Sequence, residues 1–224
     1  MSLLTRRRAL LSAKGKVLLP KEYQQVEYLE STHNEYIDTN VYIDLTTRVE
    51  IDAQFLKYYH WDDNNVNFLA GVRDYNGGIK GRFEIAYGKT SQKVYLNMGD
   101  TTNTRILTDI TCDFKRHKYI ADAVSKTMTM DNGILLSYIE NNTIENWVTS
   151  TAPFRLFGSS FSTRYLSVMK MYGVKFYKND VLVGDYIPCY RKADNAAGLY
   201  DLVNSKFFIG KGNGNSKFIL GGEV

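Results

Sequence analysis

From Val49 onward the chain alternates strictly. In RVEIDAQF, Val49, Ile51, Ala53 and Phe55 fall on one side, and Glu50, Asp52 and Gln54 on the other. A period of two sends successive side chains to opposite faces, so the stretch predicts a β-strand with one dry and one wet face. The same period recurs in NFLAGVRD, RFEIAYG, KVYLNMG, HKYIADA, TMTMDNGILLSYI, FRLFGSS and LSVMKMYGVKFY, each bounded by Gly, Asn, Asp or Ser. No helical pattern of comparable length competes with these stretches.

Three dipeptides read as tight hairpin turns because their residue types tolerate positive φ: Asn132-Gly133, Asn179-Asp180 and Asn204-Ser205. Roughly twelve short strands joined in this way describe two antiparallel sheets packed face to face, or a closed barrel. The rhythm breaks at residues 57–67, 74–81, 99–104 and 137–147, which read as loops; the last also fits one short helix.

At 224 residues the chain is long enough for one large domain with a well-buried core. Its 17 Tyr and 11 Phe against 3 Pro favour strands, where aromatic side chains fit a pleated surface. The net charge is +4, from 28 basic and 24 acidic residues spread along the sequence, so no face is built to neutralise a nucleic-acid backbone. No run of 18 apolar residues exists to span a membrane.

The start, MSLLTRRRALLSAKGK, differs from the rest. Its apolar run after the arginines is too short for a secretory signal. Residues 1–18 are expected to form an anchoring arm, with Leu3, Leu4, Leu10 and Leu11 as apolar contacts and Arg6, Arg7 and Arg8 as the charged ones; a frayed terminus is the alternative. Cys112 and Cys189 are too few for a disulfide scaffold and are expected to be buried free thiols in a chain that folds in a reducing compartment.

Two segments carry more information than periodicity. LPKEYQQVEYLESTHNEYIDTNV near the start and YIPCYRKADNAAGLYDLVNSKFF near the end resemble the paired end motifs of concanavalin A-like lectin/glucanase (LamG-like) domains, found in phage tail and virion proteins and in gut-bacterial surface proteins. The leader TRRRAL also resembles the amino-terminal end of such phage proteins. The resemblance covers residues 19–224 and is weak in the middle. It implies an all-β fold, a two-sheet antiparallel jelly-roll sandwich with an N-terminal extended arm, in which the first and last strands lie side by side. It further implies that Tyr186, Ile187, Tyr190, Leu199, Tyr200 and Phe207 are core, that Pro188 breaks strand pairing, and that Arg191 to Gly198 is a turn-rich crossover.

Candidate chemistry is sparse. Glucanases on this fold carry three acids at alternate strand positions, E-x-D-x-E. Here EIDAQ places Glu50, Asp52 and Gln54 at that spacing, with an amide where the proton-transferring acid belongs. The match is either a disarmed hydrolase strand or an accident of alternating acids on a wet face. His33, His60 and His117 lack the spacing of a zinc site, and no metal or cofactor is expected. Asp62, Asp63, Asn64 and Asn65 offer oxygen ligands that calcium accepts, but a solvated loop accounts for them as well. Cys112 has basic neighbours and His117 nearby, a pairing that only geometry can test.

Sugar binding needs flat aromatic faces with amides and carboxylates around them. Tyr58, Tyr59, Trp61, Asp62, Asp63 and Asn64 in one loop, with Arg73, Tyr75 and Asn76 in the next, are the carbohydrate-binding candidates; the alternative is that these aromatics pack beneath their own loops or against a neighbouring subunit.

The expectation is a non-enzymatic phage virion protein, a head or tail fibre or decoration component. Its arm docks on other virion proteins and its sandwich faces host-surface carbohydrate, with homo-oligomerisation, a trimer by family habit, adding avidity. A glycan hydrolase on the same fold and a ligand-free spacer are the alternatives. The expected location is the virion, after synthesis in the host cytoplasm, with the bacterial cell surface as the other setting.

Overall fold

The structure is a computed structural model that describes residues 19–58, 66–74, 82–88, 92–99, 105–131, 133–135, 149–160, 166–212 and 217–224. The arm, residues 1–18, lies outside the described residues, as do the 137–147 segment and the Asp62 to Asn65 run.

Eighteen strands run through the described residues. The first nine are β1 (Tyr23–Gln25), β2 (Leu29–Thr32), β3 (Glu35–Asp38), β4 (Thr47–Lys57), β5 (Val66–Arg73), β6 (Arg82–Gly88), β7 (Lys93–Gly99), β8 (Arg105–Thr111) and β9 (Arg116–Asp122). They are followed by β10 (Thr127–Met130), β11 (Ile134–Leu135), β12 (Arg155–Leu156), β13 (Val168–Lys178), β14 (Val181–Arg191), β15 (Ala196–Asp201), β16 (Lys206–Ile209), β17 (Lys211–Gly212) and β18 (Ile219–Leu220).

They form an all-β, two-sheet antiparallel sandwich. The larger sheet has the order β11-β10-β9-β4-β13-β14-β15-β16, and the smaller β17-β3-β12-β5-β6-β7-β8. Between β13 and β14 the larger sheet is split at one end: β2 takes Val168 to Met171 of β13, and β1 takes Cys189 to Arg191 of β14. The last strand, β18, pairs with β2, and Glu223 bridges to Val26, so the two ends of the described chain lie side by side.

Alternation places the core as expected on β4: Val49, Ile51, Ala53 and Phe55 are buried, and the polar positions between them are not. The sheets are tied by a run of aromatic contacts from Phe83 through Phe154, Phe176 and Tyr186 to Phe208, with ring centroids 6.0, 5.4, 5.5 and 5.3 Å apart. Edge-on and tilted rings at these separations add to the burial of apolar area. The chain crosses between the sheets at His33, whose φ is 94°. The Glu35 carboxylate fixes that corner by accepting from Thr32 N at 2.7 Å and Asn34 N at 3.2 Å.

The smaller sheet departs from the one-wet-face expectation. Every residue of β6 is buried, and so are all of β7 beyond Lys93 and all of β5 between its end residues. The Glu84 carboxylate on its outward side is satisfied by neighbouring side chains rather than by water, as described below.

The turns differ from one another. Asn179 and Asp180 have φ of 47° and 60° between Lys178 and Val181, the two-residue hairpin expected of them. Asn204-Ser205 belongs to a longer loop, because Asp201 pairs with Lys206 and the Asp201 carboxylate gathers Val203 N and Asn204 N. Gly133 likewise sits in a three-residue connection, since Met130 pairs with Ile134.

The segment from Asp185 to Phe208 also corrects its expected reading. Pro188 lies inside β14, paired with Leu199. Its carbonyl accepts from Val26 N at 3.0 Å, so its ring nitrogen faces the gap where β13 has left β14 and β1 begins, and no ladder bond is lost. Arg191 to Ala196 is a hairpin turn rather than a crossover, with Arg191 paired to Ala196. Tyr186 and Leu199 are fully buried in the core. Tyr200 is buried on the other face, where Tyr23 and Phe207 lie 5.0 and 5.1 Å apart from centroid to centroid in the Tyr23–Tyr200 and Tyr23–Phe207 pairs. Ile187, Tyr190 and Phe207 are only half-buried. This outer cluster also covers Cys189, whose thiol burial pushes up to about 12.

Candidate functional site

The outer face of the larger sheet carries the three alternating positions of β4. Register places Arg116 opposite Gln54 and Lys118 opposite Asp52, so two cations of β9 stand beside two acids of β4. Asp52 receives Arg116 through both oxygens, from Nε at 2.8 Å and Nη2 at 2.7 Å. Glu50 meets Lys118 Nζ at 2.8 Å. Gln54 donates to the Phe114 carbonyl at 2.9 Å and accepts from the Tyr172 hydroxyl at 3.2 Å, while Arg116 lies over the Tyr172 ring at 3.7 Å.

Two glycosidic carboxylates need one member free to attack and one held protonated. Here each acid is engaged by its own cation, and the third position is an amide bonded on both sides. The face is ion-paired, with an aromatic ring at its centre.

Next to it, β13 and β14 contribute Lys175 and Asp185, 3.5 Å apart. Burial raises the Asp185 carboxyl above its usual range against the pull of Lys175, with Asp201 and Glu50 adding to the rise. Glu50, Asp52, Lys118, Tyr172, Lys175 and Asp185 surround a shallow groove of about 320 Å³.

Of the nine carbohydrate candidates, Tyr58 and Arg73 are within the described residues; Tyr59, Trp61, Asp62, Asp63, Asn64, Tyr75 and Asn76 lie outside them. Tyr58 rests edge-on against Tyr87, 5.8 Å between centroids, and Tyr87 pairs with Asn67 near the start of β5. Arg73 ends β5, opposite Arg82. Most of a strand separates the two, so they do not converge on one ligand.

Arg73 is instead held in an ion network. The Glu84 carboxylate accepts from Arg73 Nε at 3.0 Å and Nη2 at 2.6 Å, Arg82 Nε at 2.7 Å, Asn97 Nδ2 at 3.3 Å and Ser159 Oγ at 2.7 Å. Glu84, Asn97 and Ser159 are wholly buried. Gly71 makes room, since a Cβ there would stand 2.8 Å from Glu84 Cγ and 2.9 Å from both Glu84 Cα and the Phe83 carbonyl. Only Arg82-x-Glu84, two residues apart on one strand face, was visible as a pair in the sequence; the other partners come from three further segments.

Cys112 and His117 form no nucleophile pair. The His117 ring donates to Asp131 at 2.5 Å and to Asp113 at 2.7 Å, so both nitrogens are engaged. Burial opposes its charge, but these two carboxylates outweigh it and hold the imidazole above its ordinary pKa. The Cys112 thiol is raised by burial, the opposite of an activated cysteine. Both cysteines are free, Cys189 buried and Cys112 half-buried. Among the described residues no three His, Cys, Asp or Glu side chains are placed to share a metal ion, and no helix is long and apolar enough to cross a membrane.

The larger cavity, about 700 Å³, is a cleft beside β16 and β17. Two of its charged groups are paired: Asp194 with Arg191 at 2.6 Å and Lys211 with Asp38 at 3.0 Å. Lys211–Gly212, strand β17, pairs with β3.

No protein-family model matches the chain, and no curated protein is significantly similar to it.

Proposed function

We propose that the chain is a non-enzymatic structural component of a phage particle, a jelly-roll sandwich of the concanavalin A-like kind. Residues 1–18 dock it on other virion proteins, and its folded part faces host-surface carbohydrate. The observation that carries the non-enzymatic reading is the pairing on β4: Asp52 is clamped by Arg116, Glu50 by Lys118, and Gln54 is bonded to a backbone carbonyl. A face of mutually neutralised side chains suits recognition rather than proton transfer.

The particle assignment rests on the two end motifs that resemble such proteins. In support, both motifs contribute strands to the larger sheet, where β1 joins β14 and β18 closes on β2. Leu19 and Pro20, just before β1, therefore lie at the end of the sandwich at which the chain closes.

Three measurements on the whole chain test the reading. Binding to a glycan array, no release of reducing ends from β-glucans, and loss of particle incorporation when residues 1–18 are deleted are the expected results. Release of reducing ends identifies a hydrolase. Silence on the array with incorporation retained by the full chain identifies a spacer.

A further inference from the structure

The groove on the outer face of the larger sheet has a cause in the backbone. Strand β13 shifts register against β4 between Met171 and Gly173. Tyr172 is the extra residue of this bulge, and Gly173 comes opposite Asp52. Gly173 thus occupies an outward position with no side chain, and the groove lies over it.

The other close-packed glycines have structural reasons. A Cβ at Gly71, Gly184, Gly198, Gly210 or Gly221 would stand within 3 Å of a neighbouring atom. At Gly173 the nearest atom would be the Tyr186 carbonyl oxygen at 3.5 Å, an ordinary contact, and its φ lies outside the range that strains a side chain. Neither packing nor backbone demands a glycine there. What the missing side chain does is keep the floor of the groove open.

The walls define what fits. Tyr172 closes one end and Lys175 the other. Glu50 and Asp52 line the β4 side, Asp185 and Ile187 the β14 side. The acids and cations are matched in pairs: Glu50 with Lys118, Asp185 with Lys175, Asp52 with Arg116. An anion would have to detach a lysine from its acid, and a cation an acid from its lysine, so a charged ligand breaks as many contacts as it makes. A hydroxyl can accept from an ammonium and donate to a carboxylate at once, and it leaves the pairs intact. At about 320 Å³ the space is at the small end of ligand sites, which run from roughly 300 to 1,000 Å³. It suits a single ring with an apolar side toward Ile187 and Tyr172.

We infer that the notch over Gly173 is a binding site for one uncharged, hydroxyl-rich sugar ring. This rests on the carbohydrate-facing reading above and gives it a location and a ligand class. The affinity per site is low, and repetition on a particle supplies the avidity.

The experiment is an amide-resolved NMR titration of the full chain with methyl glucoside, N-acetylglucosamine and glucuronate, repeated on Gly173→Val and Asp185→Asn. The neutral sugars are expected to shift amides 172–175 and 185–187, with glucuronate at least roughly tenfold weaker. Gly173→Val, whose spectrum otherwise matches the parent, is expected to abolish these shifts, and Asp185→Asn to weaken them. Sugar-induced shifts elsewhere, unchanged in Gly173→Val, would overturn the notch while leaving carbohydrate binding in place. Preference for glucuronate would overturn the ligand class. No response to any of the three sugars, with the glycan array also silent, would overturn both the notch and the carbohydrate reading.

Discussion

On the outer face of the larger sheet, Asp52 and Arg116 meet with side chains 37% and 50% exposed, whereas on the smaller sheet Glu84 meets Arg73 and Arg82 with none of its own side chain reaching water. Both are carboxylate–guanidinium contacts of similar length. Their settings separate them: water and salt screen the first, while the second must replace the entire hydration of a carboxylate through five hydrogen bonds. One face can therefore exchange partners at little cost, and the other cannot. That difference makes the smaller sheet the more rigidly held of the two.

The sharpest way to break the comparison is Glu84→Ala, which leaves two largely buried guanidinium groups without their acceptor. A loss of about 3–5 kcal/mol is expected in urea unfolding, insensitive to added salt. Gly71→Ala attacks the same network through its packing. The new methyl meets the backbone of Glu84 and Phe83, which cannot yield as a flexible side-chain end would, so about 1–3 kcal/mol is expected by the same measurement. On the larger sheet, Asp52→Ala should cost under about 1 kcal/mol, and the difference from the parent should vanish in 1 M sodium chloride. A cost for Asp52→Ala equal to that of Glu84→Ala would erase the distinction between the faces.

The smallest effect concerns pH. His117 titrates above its ordinary value because the Asp131 and Asp113 hydrogen bonds outweigh burial. For Asp113, burial is outweighed by the hydrogen bonds from His117 and Lys115 N, which bring it down to about 2. The histidine contribution is complete below its unfolded pKa of about 6.5 and is lost as pH rises through the folded value. The Asp113 contribution is complete above about 4 and is lost as pH falls toward 2. The clasp is thus strongest between about pH 4 and about pH 6.5 and weakens as pH rises toward the raised histidine pKa. Asp113→Asn should lower the His117 pKa seen by ring-proton NMR; an unchanged value would mean that Asp113 does not hold the ring.

The same contrast shows what was legible in the sequence. On β4 alternation identified the buried and outward positions correctly, because its polar side does face water. In RFEIAYG the identical pattern misled: Arg82 and Glu84 look like a wet face, but Asn97, Ser159 and Arg73 arrive from other segments and satisfy them in the interior. No local pattern reports partners 11 to 75 residues away. Asn179-Asp180 was readable because positive φ is local chemistry, whereas Pro188 was misread because the side its nitrogen faces depends on where β13 ends. Tyr58 and Arg73 seemed to share a surface through nearby loops, but they lie toward opposite ends of β5. The notch did leave a trace. The buried residues Met169 and Met171 are followed by Val174 and Phe176, a slip of one position that marks the bulge at Tyr172.

The closure of the chain on itself has a consequence for handling the molecule. Val224 N bonds to the Gln25 carbonyl at 3.2 Å, while the Asn179-Asp180 hairpin lies at the far end of β14. A fusion appended after Val224 emerges beside Gln25 of β1, at the edge where β1 joins β14. A circular permutant opened between Asn179 and Asp180, with a linker joining the old ends, would reverse this and put new termini at the end of β14 remote from β1.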